Sequence, residues 1–124
     1  MKLDWKDFCQ CEDFRPVKDG VEVRLTEVRG QKVVVEDCGD MLALRSMAAS
    51  PTVLKGIPDA ALQAWIRNRT VVLAGFRIDA RGWMVGEVLL PKESLNAGMF
   101  QFAVRHLALE SDRYEFQLSG QDRE

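Results

Sequence analysis

The stretch VEVRLTEVRGQKVVVEDCGDMLALRSM, residues 21 to 47, decides the class of fold. Val21, Val23 and Leu25 alternate with Glu22, Arg24 and Thr26, the period of a strand with one buried face. Arg29, Gly30 and Gln31 read as the turn that follows. A β-branched run, Val33 to Val35, marks a second strand over Lys32 to Asp37. Cys38, Gly39 and Asp40 then turn the chain into a third strand, Met41 to Met47. Three strands joined by tight turns make an antiparallel meander.

Helices are expected on both sides of the meander. Upstream, Leu3, Trp5, Phe8, Cys9 and Phe14 suggest a short amphipathic helix within residues 1 to 16, stopped by Pro16. Downstream, residues 50 to 58 form a proline- and glycine-bearing linker. A helix then runs from about Asp59 to Asn68, with Pro58 tolerated at its start and Asp59 complementing its dipole. Leu62, Trp65 and Ile66 fall three and four apart, giving that helix an apolar face to bury.

Val71 to Ile78 and Trp83 to Leu90 read as two more strands around a hairpin loop, Asp79 to Gly82, closed by Pro91. The last helix is expected from about Glu93 to Ser111, continuing towards Phe116, with a polar tail over residues 119 to 124. The order is α-β-β-β-α-β-β-α: one α+β domain over residues 1 to 124, a five-stranded antiparallel sheet with helices gathered mainly on one face.

Two apolar stripes run along the last helix. Phe100, Ala103, Val104, Leu107 and Tyr114 form one; Leu95, Met99, Phe102, His106 and Leu109 form the other, roughly 120° away. A helix on a sheet needs only one. Together with Leu42, Leu44, Met84 and Val88, expected on the outer sheet face, the second stripe exceeds what a small monomer leaves in water. Methionines beside these surfaces suit contact with varied partners.

Composition narrows the function classes. The chain has 124 residues, 47% of them hydrophobic, and a net charge of -2 from 17 basic and 19 acidic residues. That balance argues against a dedicated nucleic-acid binder or a binder of acidic membranes. No apolar run approaches the ~18 residues of a membrane span, and acidic residues interrupt the amino-terminal apolar stretches, so neither a signal peptide nor a membrane location is expected. Three cysteines fit a reducing cytosol better than a disulfide framework.

The carboxy-terminal half resembles a known group. Leu62 to Arg69 (LQAWIRNR), Gly75 to Asp79 (GFRID), Glu87 to Pro91 (EVLLP) and Ala108 to Glu115 (ALESDRYE) are similar to successive elements of YbjN-like proteins and class I type III secretion chaperones. The resemblance implies a protein-binding module, often a homodimer, with no catalytic residue and no cofactor. Its partners would be a second copy and a protein client. Trp65, Met84, Leu95, Met99, Phe102 and Leu109 are the candidate contact residues.

Other constellations give less. Cys9, Cys11, Cys38 and His106 supply zinc-type atoms, but a one-residue gap between Cys9 and Cys11 does not make a knuckle, and free thiols are expected. Asp37 with Asp40 and Asp112 with Glu115 have no nucleophile or phosphate loop beside them, and His106 has only Glu110 four residues away. No enzyme is expected. Arg67, Arg69, Arg77 and Arg81 form a local basic excess opposed in that span only by Asp79. This is the alternative reading, a surface for nucleic acid or another polyanion.

Overall fold

The computed structural model describes residues 4–71 and 73–119. A 3-10 helix, Trp5–Phe8, opens the chain, followed by β1 Phe14–Val17, β2 Gly20–Arg24, β3 Gly30–Cys38 and β4 Met41–Ala49. Then come α1 Pro51–Lys55, α2 Ala60–Arg67, β5 Gly75–Ile78, β6 Met84–Pro91 and α3 Ala97–Ser119. The strands form one antiparallel sheet in the order β1-β2-β3-β4-β6-β5. Leu3, Val72 and tail residues 120–124, which the sequence placed in a helix, a strand and a tail, lie outside the described residues.

The class and the central meander agree with the sequence reading. The strand count does not, because the sheet has six strands. The expected amino-terminal helix is only the turn Trp5–Phe8, and Phe14–Val17 is a strand. Phe14 pairs with Val23 and is buried, which a strand achieves and a helix stopped at Pro16 would not. Pro16 is acceptable because β1 is the sheet edge, where a missing N–H leaves no ladder bond unmade. Part of the expected linker is the short helix α1, with Pro51 in its first turn and the Ser50 hydroxyl accepting from the Val53 amide at 3.3 Å. Residues 25 to 29, not 29 to 31, form the turn into β3, and α3 is helical through Ser119 rather than ending near 111 to 116.

One face of the sheet carries the core. Phe100, Val104 and Leu107 of α3 pack against Val33 of β3, Leu42 and Leu44 of β4 and Val88 of β6, all at most 2% exposed. Burying each such side chain stabilises the fold by roughly 1.5–3 kcal/mol. Leu42, Leu44, Met84 and Val88 were expected on the outer sheet face and are instead inside. Both sides of β4 hold apolar residues, so alternation alone leaves open which parity faces α3. The outer parity carries charge instead: Arg45 of β4 pairs with Glu36 of β3 and with Glu87 of β6 at 2.7 Å, and Arg77 of β5 approaches Glu87 at 3.7 Å.

Gly86 lets α3 settle close to β6. A Cβ there would stand 2.8 Å from a Phe76 ring carbon, 2.9 Å from the Ser111 hydroxyl and 3.0 Å from a Leu107 methyl. Gly82, at φ 89°, supplies the left-handed turn expected between β5 and β6.

Candidate protein-binding surface

Helix α2 seats itself through its small residues. Ala60 and Ala64, one turn apart, are the buried positions of the helix and join a cluster with Ala48, Ala49, Phe76, Tyr114 and Leu118. Small side chains let the backbone approach the sheet closely, and polar clamps complete the seat. Arg67 reaches α3, hydrogen-bonding Gln117 at 2.8 Å and Glu110 at 3.4 Å, with its guanidinium 4.3 Å from the Tyr114 ring centroid. Asn68, the residue after the helix, accepts from the Phe76 amide and donates to the Phe76 carbonyl, both at 2.8 Å. Asp59 begins the helix in a left-handed conformation, φ 56°, without capping it through its side chain.

The large apolar residues of α2 therefore point away from the core. Leu62, Trp65 and Ile66 are 53%, 61% and 49% exposed. The apolar face that the sequence gives this helix to bury is not covered by the described residues, since two alanines occupy the inward side. The Arg69 guanidinium lies 5.7 Å from the Trp65 ring and sits at the border of the exposed face. The sequence signal for this seating is the alanine pair at a spacing of four, which places two small side chains one above the other on the inward face.

Helix α3 divides as its two stripes suggest. Phe100, Ala103, Val104, Leu107 and Tyr114 are buried. Met99, Phe102 and Leu109 are exposed, and Phe102 stacks on the half-buried His106 with ring centroids 5.9 Å apart. Leu95 precedes the helix and packs, half-buried, against the core. Met84 is fully buried and is no part of any surface. Of the six contact candidates, Trp65, Met99, Phe102 and Leu109 are thus available to a partner.

The four arginines are not assembled into one site. Arg67 is spent on α3 and Arg69 lies beside Trp65, whereas Arg77 and Arg81 line a groove of about 700 Å³ with Lys32, Val34, Arg45 and Met47. Carboxylates balance most of that groove: Asp19 holds Lys32 at 2.9 Å, and Glu36 and Glu87 hold Arg45. Asp79 accepts the amides of Arg81 and Trp83, each at 2.9 Å, and the Trp83 bond above all keeps its carboxyl below the usual range. Such a balanced surface carries no basic excess of the kind that draws a polyanion.

The cysteines are all free thiols, and burial pushes the Cys9 thiol up to about 11. Among the described residues no group of three or more histidine, cysteine or acidic side chains is placed to hold a metal ion. No helix among them is long and apolar enough to cross a membrane.

No protein-family model and no curated protein matches the chain. Solved structures do. A chain of the heterodimeric ExoU–SpcU complex from the type III secretion system of Pseudomonas aeruginosa matches with a TM-score of 0.55 and 12% identity, covering 79% of this chain and 82% of that one. A chain of the HopA1–SchA chaperone–effector complex matches with a TM-score of 0.59 and 16% identity, covering 88% of each. At such identities the likeness is one of fold: this chain folds like a chain of the ExoU–SpcU complex and a chain of the HopA1–SchA complex.

Proposed function

We propose that the chain is a non-enzymatic, chaperone-like protein-binding domain that self-associates and holds a protein client through the exposed apolar side chains of α2 and α3. The observation that carries the reading is the orientation of α2, which buries Ala60 and Ala64 and presents Leu62, Trp65 and Ile66 to solvent. Three large apolar residues on one exposed helix face mark a surface meant to be covered. Met99, Phe102 and Leu109 of α3 offer further apolar contact. The fold shared with chains of chaperone–effector complexes favours a secretion-chaperone role over that of a YbjN-like regulator. A cytoplasmic location belongs to the same proposal.

Trp65→Glu and the pair Met99→Glu with Phe102→Glu, each followed by sedimentation velocity and by capture of co-expressed candidate effectors, test the reading. Loss of self-association or of effector capture in either variant, with unchanged circular dichroism, is the expected result. Wild-type behaviour in both variants would rule it out.

A further inference from the structure

The sheet leaves main-chain hydrogen-bonding groups at its borders, and each border is closed by a different device. In β5, the Asp79 amide donates to the Trp83 carbonyl at 2.8 Å, so the odd-numbered residues turn their main-chain groups towards β6. Phe76 and Ile78 turn theirs outward. Both outward groups of Phe76 are taken by Asn68, whose carboxamide accepts the N–H and donates to the C=O as a neighbouring strand would. The carboxamide orientation follows from this pairing, because the flipped form would face donor to donor and acceptor to acceptor.

At the opposite edge, the Arg24 amide donates to the Asp13 carbonyl at 2.8 Å, which turns Phe14 and Pro16 outward. Pro16 has no N–H to offer, and the Phe14 amide turns back to the Cys11 carbonyl at 3.3 Å. The seam between β3 and β4 is treated alike where regular pairing stops at Val34 and Arg45. Gln31 donates to the Met47 carbonyl at 2.9 Å, and the Ser46 hydroxyl donates to the Lys32 carbonyl at 3.0 Å.

We propose that Asn68 is an edge guard: its seated carboxamide replaces a strand partner on Phe76 and closes β5 to strand addition by a second copy or an extended client. A partner meeting this border does so through side chains, on the α2 face that runs into Asn68, and not through its main chain. The proposal needs no identified client.

Amide hydrogen exchange on the wild-type chain reads the guard directly. The Phe76 amide is expected to exchange at least about tenfold more slowly than that of Ile78, although both point away from the sheet. In Asn68→Ala, Phe76 should exchange as fast as Ile78, and sedimentation should show concentration-dependent species beyond those of the wild type. Adding Ile78→Pro, which removes the remaining outward N–H without breaking a ladder bond, should abolish those species. Equal exchange of Phe76 and Ile78 in the wild type would overturn the proposal, and that result stands even if Asn68→Ala fails to fold. So would a folded Asn68→Ala chain that sediments as the wild type does.

Discussion

The guanidinium of Arg67 lies over Tyr114, 4.3 Å from the ring centroid, and joins α2 to α3 where two alanines supply little contact area. Its side chain is only 18% exposed and its Glu110 partner 15%. Arg67→Met should therefore destabilise the chain by about 1–2 kcal/mol, combining loss of the cation–π contact with loss of one of the two arginine partners of Glu110, which keeps Arg113 at 3.2 Å. Arg67→Lys should recover little, because an ammonium cannot stack and bridge Gln117 and Glu110 together. Urea unfolding measures both.

Gly86 and Ser111 meet across the contact between β6 and α3. Gly86→Ala would thrust a methyl within 3.0 Å of three side chains and is expected to cost about 1–3 kcal/mol. Ser111→Ala should be neutral or stabilising, since the buried hydroxyl has no hydrogen-bond partner among the described residues. Thermal unfolding of the two single variants should move in different directions or differ by several degrees.

The Asp13 carboxyl is held below the usual carboxylate range, first by its hydrogen bonds with Arg105 of α3 at 2.7 and 3.0 Å. A depressed folded-state value means that its contribution is fully present above the unfolded value, about pH 4, and is lost as pH falls through the folded value. Stability should fall on acidification below about pH 4, and Asp13→Asn should remove part of that slope. The pair is partly exposed, so the effect is modest and should shrink in high salt. Denaturant titrations between pH 2 and pH 7, on the order of this window, would show it.

Thiol chemistry should separate the three cysteines. Cys38 is exposed and Cys9 is buried, with its thiol raised to about 11 by burial first and by its neighbour Cys11 next. Iodoacetamide near pH 8, about the ordinary thiol range, should label Cys38 quickly and Cys9 only on unfolding. Peptide mass spectrometry of timed samples resolves the order, and early labelling of Cys9 would contradict the packing of the amino-terminal turn, whose Trp5 and Phe8 rings lie 6.2 and 5.6 Å from that of Phe100.

Much of this architecture is legible in the residues. Alternation in Val21 to Leu25 and the β-branched Val33 to Val35 fix the meander, and 3.6-residue spacing separates the buried and exposed stripes of α3. What failed did so for physical reasons. Phe8 and Phe14 satisfy a helical pattern and a turn-plus-strand pattern equally, and only the long-range pairing of Phe14 with Val23 decides between them. Met84, expected at a contact surface, is buried, because strand parity is ambiguous where both faces are apolar; an apolar helix face such as that of Trp65 does not by itself say whether its own chain covers it. The roles of Arg67 and Asn68 were invisible because their partners lie 43 and 8 residues away on other elements.

Trp65 is the residue on which the functional account turns. It is 61% exposed, so Trp65→Glu removes no core contact and should leave stability within about 0.5 kcal/mol. Sedimentation velocity of wild-type and Trp65→Glu chains at micromolar concentration is the most direct test. The account predicts a wild-type homodimer and a folded, monomeric variant. A wild type that is monomeric throughout, or a variant that associates as the wild type does, would contradict it.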